Sequence, residues 1–565
     1  MSLAVHRLLF AALLAAVALL PAFAQADRIY SGGTIITMDP EQPRAEALLV
    51  RDGRIVALGA RAKLEGMTEA DAEHVDLQGF VLLPGLIDAH GHLGMVVALQ
   101  RFVNVASPPV GGVANIDELV AALEDKVAAT PAGEWVLGFG YDDALLAEAR
   151  HPNRDDLDSA SREHPIFLLH VSGHLGTCSS KCLEVLGINA DSPDPEGGVI
   201  RRRESSSEPN GVLEEGAVLG LLTRVMQAND ESERLAWLEG AQDYFASRGI
   251  TTVQDGATSP DDLAFFQRAA EMGRLKLDVA AFPLVLLYTG PVEGFPFSRD
   301  YVNGFRVGGA KLLLDGSPQG KTAWLTEPYH EPPEGRDADY RGYGLMRDQD
   351  LIDALHAYFR EGVPVLAHVN GDAAGDQLIS AVEQVRATLG DADRRTVVIH
   401  GQTLRADQVA RLGENSLMPS YFVAHTFYWG DWHRDSVLGE QRASRISPLA
   451  TTLELGVPFT IHNDSPVVPP DMMLLLSSAV NRVTRSGQVL GAAERISVEE
   501  ALKAITINAA YQYFEEDNKG SLEAGKLADL VILSHDPTEV DPMFLKDIKV
   551  IETIKAGETI YRAEM

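Results

Sequence analysis

Apolar and polar positions alternate along this chain in two regimes. From Asp27 to about Leu83 the apolar runs are short and broken by turns. Leu48 to Val56 reads as a hairpin turning at Asp52-Gly53, a dipeptide suited to tight hairpin turns. The same regime returns at the C-terminal end. Leu527 to Leu533 reads as a strand, and Ile548 to Ile560 as a pair joined at Ala556-Gly557. Neither end has enough apolar residues for a core of its own. The expectation is one small β-sandwich built from both termini, with residues 27–83 as its first part and 515–565 as its second.

Between these ends, apolar strands alternate with helical stretches, the pattern of a parallel α/β fold. Eight strands are expected: Val81 to Ala89, Ile250 to Gln254, Leu277 to Leu284, Ala310 to Leu314, Val363 to Ala367, Thr396 to Ile399, Ser416 to Tyr421 and Val457 to Ile461. Eight βα units predict a TIM barrel over residues 84–514, with its chemistry at the C-terminal strand ends. The interval after the first strand is too long for one crossover. It holds further strand-like runs, Trp135 to Tyr141 and Ile166 to Val171, and reads as an inserted subdomain of about residues 100–249.

The first residues stand outside this organisation. His6 and Arg7 precede an apolar run, Leu8 to Leu20, and a small-x-small site at Ala22-Phe23-Ala24. This reads as a secretory signal peptide of residues 1–24, so a soluble periplasmic or secreted protein is expected, with no membrane contact after cleavage. The 565 residues carry a formal net charge of -33, which disfavours nucleic acid and leaves a small molecule as the expected partner. A homo-oligomer is compatible with the chain. Cys178 and Cys182 are the two cysteines; they are read as free or locally bridged thiols, and not as a metal site.

The candidate chemistry sits at the strand ends. The first strand runs into Asp88-Ala-His-Gly-His92, and residues two apart on a strand share a face, so His90 and His92 can grip one metal ion. The fourth strand begins with Lys311 and leads to Asp315. The fifth ends at His368, the sixth at His400 and the eighth at Asp464. Any one of these alone is a capping, turn or surface residue as readily as a ligand. Together they converge on one pocket if the barrel forms.

The motifs PGLIDAHGHL (84–93), HPNRDDLDSASREHPIFLLHVSGH (151–174), KLLLDGSPQGKTAWL (311–325), AHVNGDAA (367–374), IHGQ (399–402) and GSLEAGKLADLVIL (520–533) resemble the amidohydrolase superfamily. The likeness is to its YtcJ-like branch, which includes N-substituted formamide deformylases. The resemblance implies a TIM barrel capped by a β-sandwich, with metal ligands at His90, His92, His368, His400 and Asp464. It places Lys311 where superfamily members carry an N6-carboxylysine bridging two metals. A divalent metal, zinc by expectation, is implied; one ion or two stays open. Two departures concern neighbours of the ligands: Ile399 stands where an acidic residue is usual, and His462-Asn463 where Gly-Ser is usual.

The implied reaction is cleavage of a C–N bond in a small amide, formamide or cyclic imide by metal-activated hydroxide, with Asp464 and Lys311 as the catalytic pair. Esterase or lactonase activity on the same site, or a non-catalytic metal-binding regulatory role, are the alternatives. Aromatic and titratable groups after the seventh strand, His425, Trp429 and His433, are expected to line the substrate pocket, as is His174. Packed core is the equal alternative for the tryptophan.

Overall fold

The computed structural model describes residues 27–564 apart from 69–71, 196–197, 226–229, 289 and 334. The signal peptide expected at 1–24 lies outside the described residues. Both termini contribute to one sheet. Its strands run in the order Glu558–Arg562, Val550–Lys555, Leu530–Leu533, Val81–Pro84, Arg28–Ile36, Arg44–Arg51, Arg54–Gly59, and Glu73–Asp76 pairs with Arg28–Ile36. The expected sandwich is therefore a single hydrogen-bonded path. Its core joins Tyr30, Ile35, Leu48 and Leu82 to Leu530 and Ile554. The expected hairpins both form. Asp52 and Gly53 turn with φ of 48° and 73°, and Ala556 and Gly557 with 47° and 80°, the left-handed conformations of a tight hairpin turn.

The long first apolar run serves two sheets. Val81–Pro84 pairs with the C-terminal strand Leu530–Leu533, while Leu86–Ile87 (β1) pairs with Ile250–Thr258 (β2). The break falls at Gly85, where a Cβ would lie 2.5 Å from the Thr251 methyl carbon. A side chain at that position would collide with β2, so the run changes sheets at Gly85, the one residue between Phe80 and Ala89 without a Cβ.

Beyond β2, the parallel strands follow in chain order. They are Asp278–Pro283 (β3), Ala310–Leu313 (β4), Val365–Val369 (β5), Thr396–His400 (β6), Leu417–Tyr421 (β7) and Thr460–Ile461 (β8). Strands β1 to β3 form one parallel sheet and β4 to β8 another. A parallel bridge between Leu284 and Lys311 joins the two. Near β8 and β1, the Asp464 N–H donates to His90 O at 3.1 Å and the His92 N–H to Ser465 O at 2.7 Å. An unexpected short strand, Phe305–Val307, pairs with β3. The eighth strand is shorter than expected, since only Thr460 and Ile461 pair with β7.

The interval after β1 carries its own six-stranded sheet, in the order Gly198–Arg202, Pro209–Glu215, Leu175–Cys178, Ile166–His170, Val136–Tyr141, Val103–Asn104. Cys178 and Cys182 are bonded to each other and buried in one of this sheet's two cores. Among the described residues, no helix is long and apolar enough to cross a membrane.

Candidate metal centre

The strand ends bring the expected groups together. His90 follows β1 and is fully buried. Its Nδ1 is hydrogen-bonded to the Gln254 side-chain oxygen on β2, and the Gln254 amide nitrogen donates to Ala89 O at 3.0 Å. The ring is thereby fixed with Nε2 facing the other candidates. Gly256 makes room for it: a Cβ there would lie 2.4 Å from His90 Cε1. Asp464 Oδ1 lies 3.1 Å from His92 Nε2 and 3.5 Å from His90 Nε2. That oxygen is buried and has no hydrogen-bond partner among the described residues. Lys311, at the base of β4, is also buried, with Nζ 3.2 Å from His90 Nε2.

A second run of imidazoles meets the first. His400 Nε2 is 3.2 Å from His368 Nδ1, and His400 Nδ1 is 3.1 Å from His462 Nε2. The run ends at Ser420 Oγ, 2.8 Å from His462 Nδ1. The His90 ring centroid is 5.5 Å from that of His400 and 5.2 Å from that of His462. His462 is thus a member of the cluster that sequence reasoning treated only as a departure from the family pattern. The signal was present: His462 and Asp464 are two apart at the end of a strand, the same spacing as His90 and His92.

Two of these residues hold unusual backbone. His400 has φ of 74° and Asp464 φ of 57°, in the left-handed region that non-glycine residues seldom occupy. Such conformations persist where surrounding contacts enforce them, and they gather at functional sites.

Burial sets the charge states. It pushes His90, His368, His400 and His462 well below the usual imidazole value, and their cationic or imidazole neighbours push the same way. All four are neutral at physiological pH, the state in which a ring nitrogen binds metal. Burial lowers Lys311 to about 7 and raises Asp315 to about 7. Asp315 accepts N–H bonds from Trp324, Asn370 and Gly371 and stands 3.9 Å from His368 Nε2. Burial, with the nearby Asp464, raises Asp88 to about 8. Imidazole nitrogens facing a buried carboxylate oxygen that makes no hydrogen bond are a donor set that fits a divalent metal.

The residues expected to contact substrate divide. His174 Nδ1 lies 2.9 Å from Glu215, and although burial opposes it, this carboxylate holds the imidazole above its usual pKa. The helix His425–Trp432 (α1) follows β7 and is largely buried. His425 Nδ1 is 2.9 Å from His433 Nε2. Burial holds His425 well below its usual pKa and His433 at about 3. Phe422 packs against both His425 and His462, with ring centroids 4.5 Å and 5.4 Å away. Trp429 is buried, and its Nε1 donates to Asp142 Oδ2 at 3.0 Å, across to the inserted sheet. Trp429 also borders a small apolar cavity with Phe139, Val171 and Val467.

A family model described as amidohydrolase family matches residues 73–561. The chain belongs to this family. The Protein LONG AFTER FAR-RED 3 of Arabidopsis thaliana is 30% identical over 96% of this chain and 92% of its own length. The N-substituted formamide deformylase of Arthrobacter pascens is 27% identical, over 95% of this chain and 98% of its own. The crystal structure of an uncharacterized metal-dependent hydrolase from Pyrococcus furiosus superposes with a TM-score of 0.71, 25% identity and coverage of 91% of this chain and all of that one. The expected likeness to amidohydrolases of the formamide deformylase type is met. This amidohydrolase presents His90, His368, His400 and Asp464 at or just beyond the C-terminal ends of parallel strands.

Proposed function

We propose that this amidohydrolase is a metal-dependent hydrolase of a C–N bond in a small amide, formamide or cyclic imide. The observation that carries the reading is the buried Asp464 Oδ1, without a hydrogen-bond partner, facing His90 Nε2 and His92 Nε2. His90, His92, His368, His400 and Asp464 would hold the metal, zinc by preference for such N and O donors. When bound, a divalent metal acidifies water and polarises a carbonyl oxygen.

The chain's own groups supply the rest. Asp464 accepts a proton from the attacking water at its carboxylate and returns it to the departing nitrogen. His174, whose protonated form Glu215 favours, would donate to the carbonyl oxygen as negative charge develops there. Lys311 is the residue for carboxylation. With its pKa lowered to about 7, much of it is a neutral amine at physiological pH, the form that adds carbon dioxide. The carbamate, formed with release of the amine proton, would offer an anionic oxygen ligand to bound metal. The reading includes a closed (β/α)8 barrel over 84–514, supported by the parallel strand order and by the hydrogen bonds from Asp464 and His92 to the chain around His90 and Ser465.

Metal analysis of the purified protein with a screen of amides, formamides, imides and esters tests this. Bound metal with amide turnover is expected. Turnover of esters or lactones alone would reassign the reaction, and bound metal without turnover would favour a binding role. We also propose export with cleavage after Ala24; N-terminal sequencing of the exported protein should begin at Gln25.

A further inference from the structure

The inserted sheet carries a second cluster of donor atoms. Asp142 and Asp143 follow the strand Val136–Tyr141, and His170 ends the adjacent parallel strand Ile166–His170. One donor atom from each of these three side chains lies within 4.8 Å of the others. His170 Nε2 is 3.1 Å from Asp143 Oδ1, and His151 Nε2 is 3.5 Å from Asp143 Oδ2. The two imidazoles meet edge to face at 5.8 Å, and each also meets the Tyr141 ring.

Among the described residues no lysine or arginine forms an ion pair with these carboxylates, although the Arg485 charge acts on Asp142 from across an adjoining cavity. Asp142 is buried, and Asp143, half-buried, has the imidazoles of His151 and His170 as its ion-pair partners among the described residues. Arg201 and Lys321 border the cavity that these four residues line, of about 160 Å³, but each is engaged elsewhere. Arg201 pairs with Glu214. Lys321 donates to Ser436 Oγ at 2.8 Å and stands over the Trp432 ring. Neighbouring carboxylates withdrawn from water are costly unless a cation accompanies them. The cavity gives such a cation a way in.

We propose that Asp142, Asp143, His151 and His170 bind one divalent transition-metal cation, separate from the centre at the strand ends. Two carboxylates with two imidazoles favour zinc or manganese over calcium and magnesium, which take oxygen donors. The cation would also act at a distance. Asp142 Oδ2 accepts from Trp429, so a metal on Asp142 would tie the inserted sheet to helix α1 and to His425.

The test compares metal content per chain, and melting temperature with and without chelator, in the full-length wild type and in Asp143→Asn and His170→Gln. Both variants should lose one metal equivalent and part of the chelator-sensitive share of the melting temperature, the share left being that of the strand-end metal. They should keep the equivalents that His90→Ala removes. Should His170→Gln fail to fold, His151→Gln is the alternative, and its affinity for added zinc should fall by about ten-fold or more. Unchanged stoichiometry and zinc affinity in the folded variants would overturn the proposal. If the wild type holds metal that Asp143→Asn loses but His90→Ala keeps in full, the second site stands even though the strand-end centre fails.

Discussion

Asp464 Oδ1 lies 3.1 Å from His92 Nε2, although the two residues sit at opposite ends of the strand series, beyond β8 and beyond β1. The backbone closes the same gap, since the Asp464 N–H donates to His90 O. The contact between first and last strand ends therefore places a carboxylate against two imidazoles, and this contact anchors the proposed chemistry.

Replacing Asp464 with Asn should keep the fold and abolish most turnover. A positioned acid-base group contributes about 10²- to 10⁴-fold, so kcat should fall within that range under metal-saturated conditions. An Asp464→Asn enzyme with full kcat would remove Asp464 from the catalytic role.

His462 should act on the metal through its neighbour. It lies between Ser420 and His400 and orients the His400 ring. Groups that orient a ligand typically alter metal affinity by about 10- to 100-fold. His462→Ala should weaken metal binding on that scale in competition with a chelator, with kcat recovering at saturating metal. No change in affinity would make His462 a packing residue only.

Lys311 makes stability depend on pH in the metal-free, uncarboxylated protein. Its folded pKa is near 7 and its unfolded value 10.5. Between these values the unfolded chain binds more protons than the folded one, so stability rises with pH across that window. The wild type should gain stability relative to Lys311→Met as pH goes from about 7 to about 10.5. Denaturant titrations at several pH values would show it, and parallel curves for the two proteins would refute it.

Trp429→Phe should cost stability before it costs chemistry. It keeps a ring in the core but leaves Asp142 Oδ2 without its indole donor. An unsatisfied buried group costs about 1–3 kcal/mol, measurable by denaturation. A large rise in KM with unchanged stability would instead show that the indole contacts substrate.

How far this was readable from the sequence varies by element. The parallel strands were legible because buried strands are continuous apolar runs bounded by turns, and the strand-end histidines followed from them. The split of the first apolar run was not legible, because a run that continues from one sheet into another has the same composition throughout; the crowding of Gly85 against Thr251 appears only in three dimensions. His462 was overlooked for a different reason: comparison with a family pattern marked it as a deviation, while its spacing from Asp464 marked it as a neighbour. The Asp142, Asp143 and His170 cluster joins the ends of two strands of the inserted sheet, and no local spacing announces that juxtaposition. The indole bond from Trp429 to Asp142 spans 287 positions of sequence and was equally hidden.

The sheet shared by both termini has a consequence for biosynthesis. Pro84 pairs with Leu530, so a strand made early must wait for a partner made about 450 residues later. At ribosomal rates of about 5–20 residues per second, the wait is on the order of tens of seconds. During that time Val81–Pro84, paired on one side with Arg28–Ile36, presents an open apolar edge on the side that Leu530–Leu533 will later cover. A chain truncated before Leu530 would leave that edge open permanently, which makes loss of the last few dozen residues a route to aggregation even though every histidine of the centre is already in place.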